Sequence, residues 1–257
     1  MERDILVTGG ATGIGRAVAR HFAALGDRVV ITGRRPGPLK ETAEALGVRA
    51  ETCDHTDPAA LLRLVAALPG SIDVLVNNAG GNTDFDAVPL KGTEDAGDAP
   101  DSDGTAHARE LAAYARDFRA NLDANLVSAA LTTKALADRL ADGGAVVQIG
   151  SIAADQGAGS YGAAKAGLAS WNVDLAGILG ARGITANVVS PGYIADTEFF
   201  RDRLADSRRE FLIASTAVGR PGVPDDIAEA VAFLASPAAR HITGQVLNVN
   251  GGAYRTR

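Results

Sequence analysis

One cysteine in 257 residues, Cys53, leaves no partner for an intramolecular disulfide and no thiolate set for a metal cluster. It reads as a small core residue. Histidines at ligand spacing are missing too: His21, His55, His107 and His241 are isolated from one another, so no metal site is expected. His55 reads as a loop residue. No apolar run approaches the roughly 20 residues needed to span a bilayer. The N-terminus leads directly into Ile5-Leu6-Val7, which leaves no room for a signal peptide. Positive charge is in deficit, with a net charge of −6, which argues against nucleic acid or an anionic membrane as partner. A reducing, cytoplasmic setting fits these absences. There is no internal repeat and no break that would start a second domain.

What remains is a globular composition, 46% hydrophobic and 22% charged, in a chain long enough to bury a full core. Short apolar runs alternate with helical patterns along most of its length. Strands are predicted at Ile5-Leu6-Val7, Arg28 to Thr32, Val48 to Thr52, Ile72 to Val76, Gly144 to Ile149, Ile184 to Val189 and Gln245 to Asn250. Helices are predicted after most of them, including Pro38 to Leu46, one or two over Ala108 to Leu140, and Asp225 to Leu234. Glu198 to Ser215 reads as a charged helical lobe. This alternation indicates an α/β fold: one Rossmann-type, doubly wound parallel sheet with helices on both faces, spanning 1–257. From Asn82 to about Glu110 the chain turns acidic and poor in apolar anchors. That stretch is expected to be a surface insertion, either passive or a lid over substrate.

The first strand is cut off by Thr8-Gly9-Gly10-Ala11-Thr12-Gly13-Ile14-Gly15, and a helical pattern follows. Glycines let a backbone approach a phosphate, and a helix N-terminus supplies free N–H groups and positive potential. A plain tight turn would use the same residues. The second strand ends at Gly33-Arg34-Arg35. An acidic residue there would accept the ribose hydroxyls of NAD; it is absent, and a guanidinium suits the 2′-phosphate of NADP. Solvated arginines are the bland alternative. Asp54 follows the third strand, where it could meet an adenine amine or cap the helix that starts near Pro58. Asn77-Asn78-Ala79-Gly80-Gly81 ends the fourth strand with small residues and carboxamides suited to a close cofactor approach, although these are also ordinary turn formers.

Ser151 stands beyond the fifth strand, where ligands of such sheets bind. Ser160-Tyr161-Gly162-Ala163-Ala164-Lys165 opens the next helix, and residues four apart share a face, so Tyr161 and Lys165 project together. A nearby cation favours the phenolate, which makes the pair a candidate acid/base for carbonyl chemistry. Asn121 and Asn125 interrupt an otherwise small and apolar helical face.

In this order, Thr8 to Gly15, Asp54, Asn77 to Gly80, Asn125, Ser151, Tyr161/Lys165, Pro191-Gly192 and the closing Gly244-Gln245 and Gly251-Gly252 resemble the short-chain dehydrogenase/reductase family over nearly the whole chain. The glycine spacing separates the chain from the extended relatives. The resemblance implies a Ser151, Tyr161, Lys165 and Asn125 catalytic set that interconverts a small-molecule ketone and its secondary alcohol with NADP(H). It implies that Tyr161 exchanges the proton, Lys165 lowers its pKa and holds the nicotinamide ribose, Ser151 binds the reacting oxygen, and Asn125 keeps a water chain to Lys165. Gly9, Thr12, Gly13, Ile14 and Gly15 would hold the pyrophosphate side. Arg34, with Arg35, would hold the 2′-phosphate; Asp54 and Asn78-Ala79-Gly80 would hold the adenosine, and Ile194 the carboxamide. The look is closest to 3-oxoacyl-(acyl carrier protein) reductases, with a polyketide-type ketoreductase and a non-catalytic NADP sensor as alternatives. A homotetramer or homodimer, with Gln245 to Asn250 near an interface, is the implied assembly.

Three departures stand out. The insertion after Asn82 is longer than the family's loop, the stretch from Ser151 to Tyr161 is shorter, and Asn250 stands where aspartate is common.

Overall fold

The structure, a computed structural model, describes residues 2–83, 105–200 and 204–256. A sheet of seven parallel strands carries the molecule, ordered β3-β2-β1-β4-β5-β6-β7. The strands are β1 (Asp4–Thr8), β2 (Arg28–Gly33), β3 (Arg49–Thr52), β4 (Ile72–Asn77), β5 (Leu140–Ile149), β6 (Thr185–Pro191) and β7 (Val246–Val249). Every residue of β1 and of β6 is buried. Parallel strands covered on both faces read as continuous apolar runs, which is why the sequence marks them clearly.

Helices are α1 (Gly13–Ala24), α2 (Pro36–Leu46), α3 (Pro58–Ala67), α4 (Thr105–Leu122), α5 (Ser128–Leu136), α6 (Ala153–Gln156), α7 (Gly159–Gly180), α8 (Asp206–Ala214) and α9 (Pro224–Leu234). Strand side chains alternate between faces and build two cores. Ile5, Val7 and Ile31 join Val18 and Phe22 of α1 and Ile227 and Val231 of α9 on one face. Leu6, Leu75 and Val146 join Leu61 and Leu64 of α3 and Leu175 and Leu179 of α7 on the other. Cys53 lies in this second core, and burial pushes its thiol up to about 11.

Several boundaries differ from the sequence reading. Residues 105–110, expected in the acidic insertion, belong to α4; 84–104 lie outside the described residues, and so does the lid question. The stretch expected as one or two helices before β5 is α4, a π turn at Asp123–Val127, then α5. A widened turn of this kind shifts the register of the helical faces on either side of it. The expected lobe from Glu198 to Ser215 divides into a short turn, Glu198–Phe200, and α8. His55 lies in the turn between β3 and α3, as its loop reading expects. It is buried, with Nε2 2.7 Å from Thr32 Oγ1 and Nδ1 2.8 Å from Thr132 Oγ1.

The chain runs outward through β1, β2 and β3, then returns to place β4 on the other side of β1. The loops after β1 and β4 therefore part company at one point of the sheet's carboxyl edge. Such a switch point is where open α/β sheets bind ligands.

Candidate active site

At that switch point the glycine loop is fitted closely to its surroundings. Gly9 and Gly13 have φ of +63° and +52°, a region that favours glycine. A Cβ on Gly15 would stand 2.2 Å from the Gly9 carbonyl oxygen, and one on Gly9 2.9 Å from Ala79 Cα. Thr12 occupies the N-cap of α1 without capping it through its side chain, so the first N–H groups of a twelve-residue helix face the cleft. Asn78 ties the two loops together: its Nδ2 donates to the carbonyls of Thr8 and Gly9, each at 3.0 Å. The Thr8 hydroxyl accepts from the N–H groups of Asn78 and Ala79. A close-approach glycine cradle under a free helix N-terminus fits the pyrophosphate of a dinucleotide.

The arginines at the end of β2 divide. Arg34 is exposed and has no ion-pair partner among the described residues. Its charge acts on Asp54, whose carboxyl is held below the usual range first by the Thr56 backbone and hydroxyl donors and then by Arg34. Arg35 is committed to Glu198 at 2.6 Å. The helix-capping role left open for Asp54 goes instead to Asp57, which accepts from the Ala59 N–H at 2.8 Å at the start of α3. Asp54 is thereby left facing Arg34 from the adjacent strand end.

Ser151 and Tyr161 come together at the carboxyl end of β5 and the first turn of α7, where their hydroxyls are hydrogen-bonded. Tyr161 is 6% exposed, and burial pushes its phenol up to about 12 against the pull of Ser151. Lys165 lies one turn on, its Nζ 5.8 Å from the centre of the Tyr161 ring. Nζ donates to the Ile149 carbonyl at 2.8 Å, and burial brings the ammonium down to about 8. The sequence reading has Lys165 lowering the Tyr161 pKa; here burial dominates both groups, and the ammonium is aimed at a backbone carbonyl. Ser151 and Lys165 also line a cavity of about 350 Å³ with Ser190, Val246 and Asn248.

Asn125 falls on the π turn. Its Nδ2 donates to the Gly81 carbonyl at 2.9 Å and its Oδ1 accepts from the Gly81 N–H at 3.1 Å, so it pins the β4 loop. A Cβ on Gly80 would strike that Oδ1 at 2.5 Å. Asn121 donates to the Ser160 hydroxyl at 2.8 Å, which ties α4 to the first turn of α7. Both carboxamides thus satisfy backbone and hydroxyl groups around Tyr161.

A family model described as Enoyl-(Acyl carrier protein) reductase matches residues 9–254. The 3-oxoacyl-[acyl-carrier-protein] reductase FabG of Escherichia coli (strain K12) is 36% identical over 259 residues, covering 97% of this chain and 96% of that protein. The chain belongs to the short-chain dehydrogenase/reductase family. A short-chain type dehydrogenase/reductase from Mycobacterium ulcerans superposes with a TM-score of 0.83 at 28% identity, covering 98% of this chain and 90% of that one. A short-chain dehydrogenase/reductase from Brucella melitensis, titled glucose/ribitol dehydrogenase, gives 0.80 at 29% identity with both chains fully covered.

As a short-chain dehydrogenase/reductase the protein is an oxidoreductase. Ile194 is buried and bridged to Gly222, with its Cδ1 packed over that glycine. Thr197, Glu198 and Phe199, which follow it, were not legible as site residues. Thr197 lies over Gly13, Glu198 pairs with Arg35, and the Phe199 ring is 5.4 Å from the Tyr161 ring. Among the described residues no cluster of His, Cys, Asp or Glu could hold a metal ion, and no helix is long and apolar enough to cross a membrane.

Proposed function

We propose that this short-chain dehydrogenase/reductase interconverts a ketone and its secondary alcohol with NADP(H), using Tyr161, Ser151, Lys165 and Asn125. The observation that carries the reading is the hydrogen-bonded Ser151–Tyr161 hydroxyl pair with the Lys165 ammonium one turn along the helix. The glycine cradle from Gly9 to Gly15, with Thr12 and Ile14, would hold the pyrophosphate, Arg34 the 2′-phosphate, and Asp54, Asn78, Ala79 and Gly80 the adenosine. Arg35 supports that end of the cleft through Glu198, and Ile194 would meet the carboxamide. When bound there, the cofactor supplies or accepts the hydride.

This chain's residues handle the oxygen and its proton. Ser151 donates to the reacting oxygen and stabilises the charge that develops on it. Tyr161 transfers its proton to that oxygen in reduction and takes it back in oxidation. A phenol raised to about 12 by burial is a weak acid, so the reaction needs a nearby cation to favour the phenolate. Lys165, one turn along α7 and still an ammonium below about pH 8, supplies that cation. The relatives' names support a 3-oxoacyl thioester as substrate type. A polyketide-type ketone is the second reading, favoured by the departures in the loops around the site. A homo-oligomer packed through β7 is in keeping with the exposed Val246 and Leu247.

The test is Tyr161→Phe with a panel of ketones and NADPH. Loss of the hydroxyl should lower kcat about a hundredfold to ten-thousandfold, the ordinary worth of a general acid, with NADPH affinity near wild type. Unchanged turnover, or loss of cofactor binding along with it, would refute the role.

A further inference from the structure

One side of Tyr161 is walled by aromatic rings. Phe199 packs on Tyr161 with ring centres 5.4 Å apart and planes tilted by 58°. Phe200 meets Phe199 edge to face at 4.9 Å, and Tyr193 backs Phe200 at 5.8 Å. The chain is otherwise poor in aromatics, at 5% of residues, so this grouping beside the candidate acid is a concentration in one place.

The wall is held there by contacts made on either side of it. Ile194 is anchored to Gly222, and Asp196 takes a left-handed turn at φ +57°, a conformation that non-glycine residues adopt seldom. That turn redirects the chain across the cleft. Thr197 then lies over Gly13 of the glycine cradle, and Glu198 reaches Arg35 at the end of β2. With both neighbours tied to the opposite bank, the next residue, Phe199, comes down on Tyr161.

We propose that Phe199, backed by Phe200, selects substrates whose reacting carbonyl carries a flat ring rather than a flexible alkyl chain. The proposal rests on the ketoreductase reading and names the substrate class of that site. A carbonyl oxygen that reaches the Tyr161 hydroxyl must place one of its substituents along the Tyr161–Phe199 surface. The two tilted rings, in contact with each other, present an apolar aromatic surface beside that hydroxyl. A planar ring lies against it with offset or edge-to-face contacts, which aromatic pairs prefer. A linear chain must freeze its torsions to lie there and covers the rings less completely. A charged substituent laid on Phe199 and Phe200 would be desolvated against apolar rings.

Ethyl benzoylacetate and ethyl butyrylacetate test this, because they differ only in a phenyl against a propyl group on the same keto ester. With NADPH, wild type should show kcat/KM about tenfold higher on the benzoyl ester, against the lower intrinsic reactivity of an aryl ketone. Phe199→Leu should lose about tenfold on the benzoyl ester and less than about threefold on the butyryl ester, with Phe199→Tyr close to wild type. A wild-type preference for the propyl substituent, or equal losses on both esters in Phe199→Leu, overturns the proposal.

A second readout separates this failure from failure of the ketoreductase reading. If wild type reduces neither ester, the Tm of the NADPH-loaded enzyme decides. An upward shift with ethyl benzoylacetate that disappears in Phe199→Leu keeps the aromatic contact and sinks the reaction; no shift in wild type sinks both.

Discussion

Arg35 and Glu198 meet at 2.6 Å across the cleft, one from the end of β2 and the other from the turn that follows β6. Both side chains are more than half exposed, so the pair contributes little to stability. Its effect is to decide which arginine is available. Arg35 is occupied, whereas Arg34 is free of any ion pair among the described residues and faces Asp54.

The cofactor preference should therefore hang on Arg34. A charge-assisted hydrogen bond is worth about 1.5–3 kcal/mol, so Arg34→Asp should weaken NADPH binding roughly tenfold to a hundredfold and leave NADH nearly unchanged. Arg35→Ala should change the NADPH to NADH ratio by less than about threefold, since its guanidinium already has a partner. Titrations of both cofactors check this, and an unchanged preference in Arg34→Asp refutes the 2′-phosphate role.

Lys165 should leave its mark on stability at alkaline pH. Burial lowers its ammonium from 10.5 to about 8, so between those values the unfolded chain binds more protons than the folded one. Stability from this group therefore rises with pH across that window. Below about pH 8 the folded state carries the whole penalty of a buried cation, on the order of 3 kcal/mol. Lys165→Met removes the titrating group. Its stability relative to wild type in urea should be greatest near neutrality and shrink steadily up to pH 10.5. Parallel curves for the two proteins would rule the buried cation out.

His55 makes the opposite kind of demand, at the acid end. The Thr132 hydroxyl gives its proton to the Ser128 carbonyl at 2.7 Å, so it accepts from His55 Nδ1–H, and the bare Nε2 accepts from Thr32. Both ring nitrogens are used by the neutral form, and burial lowers the imidazole from 6.5 to about 4. The stability it contributes is full above pH 6.5 and lost as pH falls towards 4, to about 3 kcal/mol. His55→Gln has no proton to gain, so its urea midpoint should fall less than that of wild type over this range. An equal fall would place the acid sensitivity elsewhere.

His55 also shows where sequence reading runs out. The strands are legible because burial on both faces demands unbroken apolar runs, and Tyr161 and Lys165 because helical spacing is local. His55 is buried by Thr32 and Thr132, which lie 23 and 77 residues away, and nothing in its own neighbourhood announces them. The same holds for Glu198, whose partner Arg35 is 163 residues distant. Asp54 and Asp57 are both plausible caps by residue type; only the register in which α3 starts separates them. The π turn that carries Asn125 has no compositional signature, because one added residue per turn changes hydrogen bonding and not side-chain preference.

Asn78 gives the last prediction, since it separates a clamp from a filler. Its Nδ2 donates to two carbonyls, Thr8 and Gly9, and a Cβ on Gly15 would approach that nitrogen to 2.4 Å. Asn78→Ala leaves both carbonyls without this donor, a loss of about 1–3 kcal/mol and a looser glycine cradle. Asn78→Asp keeps the shape but sets a carboxylate oxygen against the same two acceptors, beneath the candidate pyrophosphate site. It must either bear that repulsion or take up a proton. The order of stability should be wild type, then Asn78→Ala, then Asn78→Asp, with the NADPH Kd rising in the same sequence. If the aspartate variant, nearly identical in size, proves as stable as wild type, then volume and not the paired donation holds the two loops together.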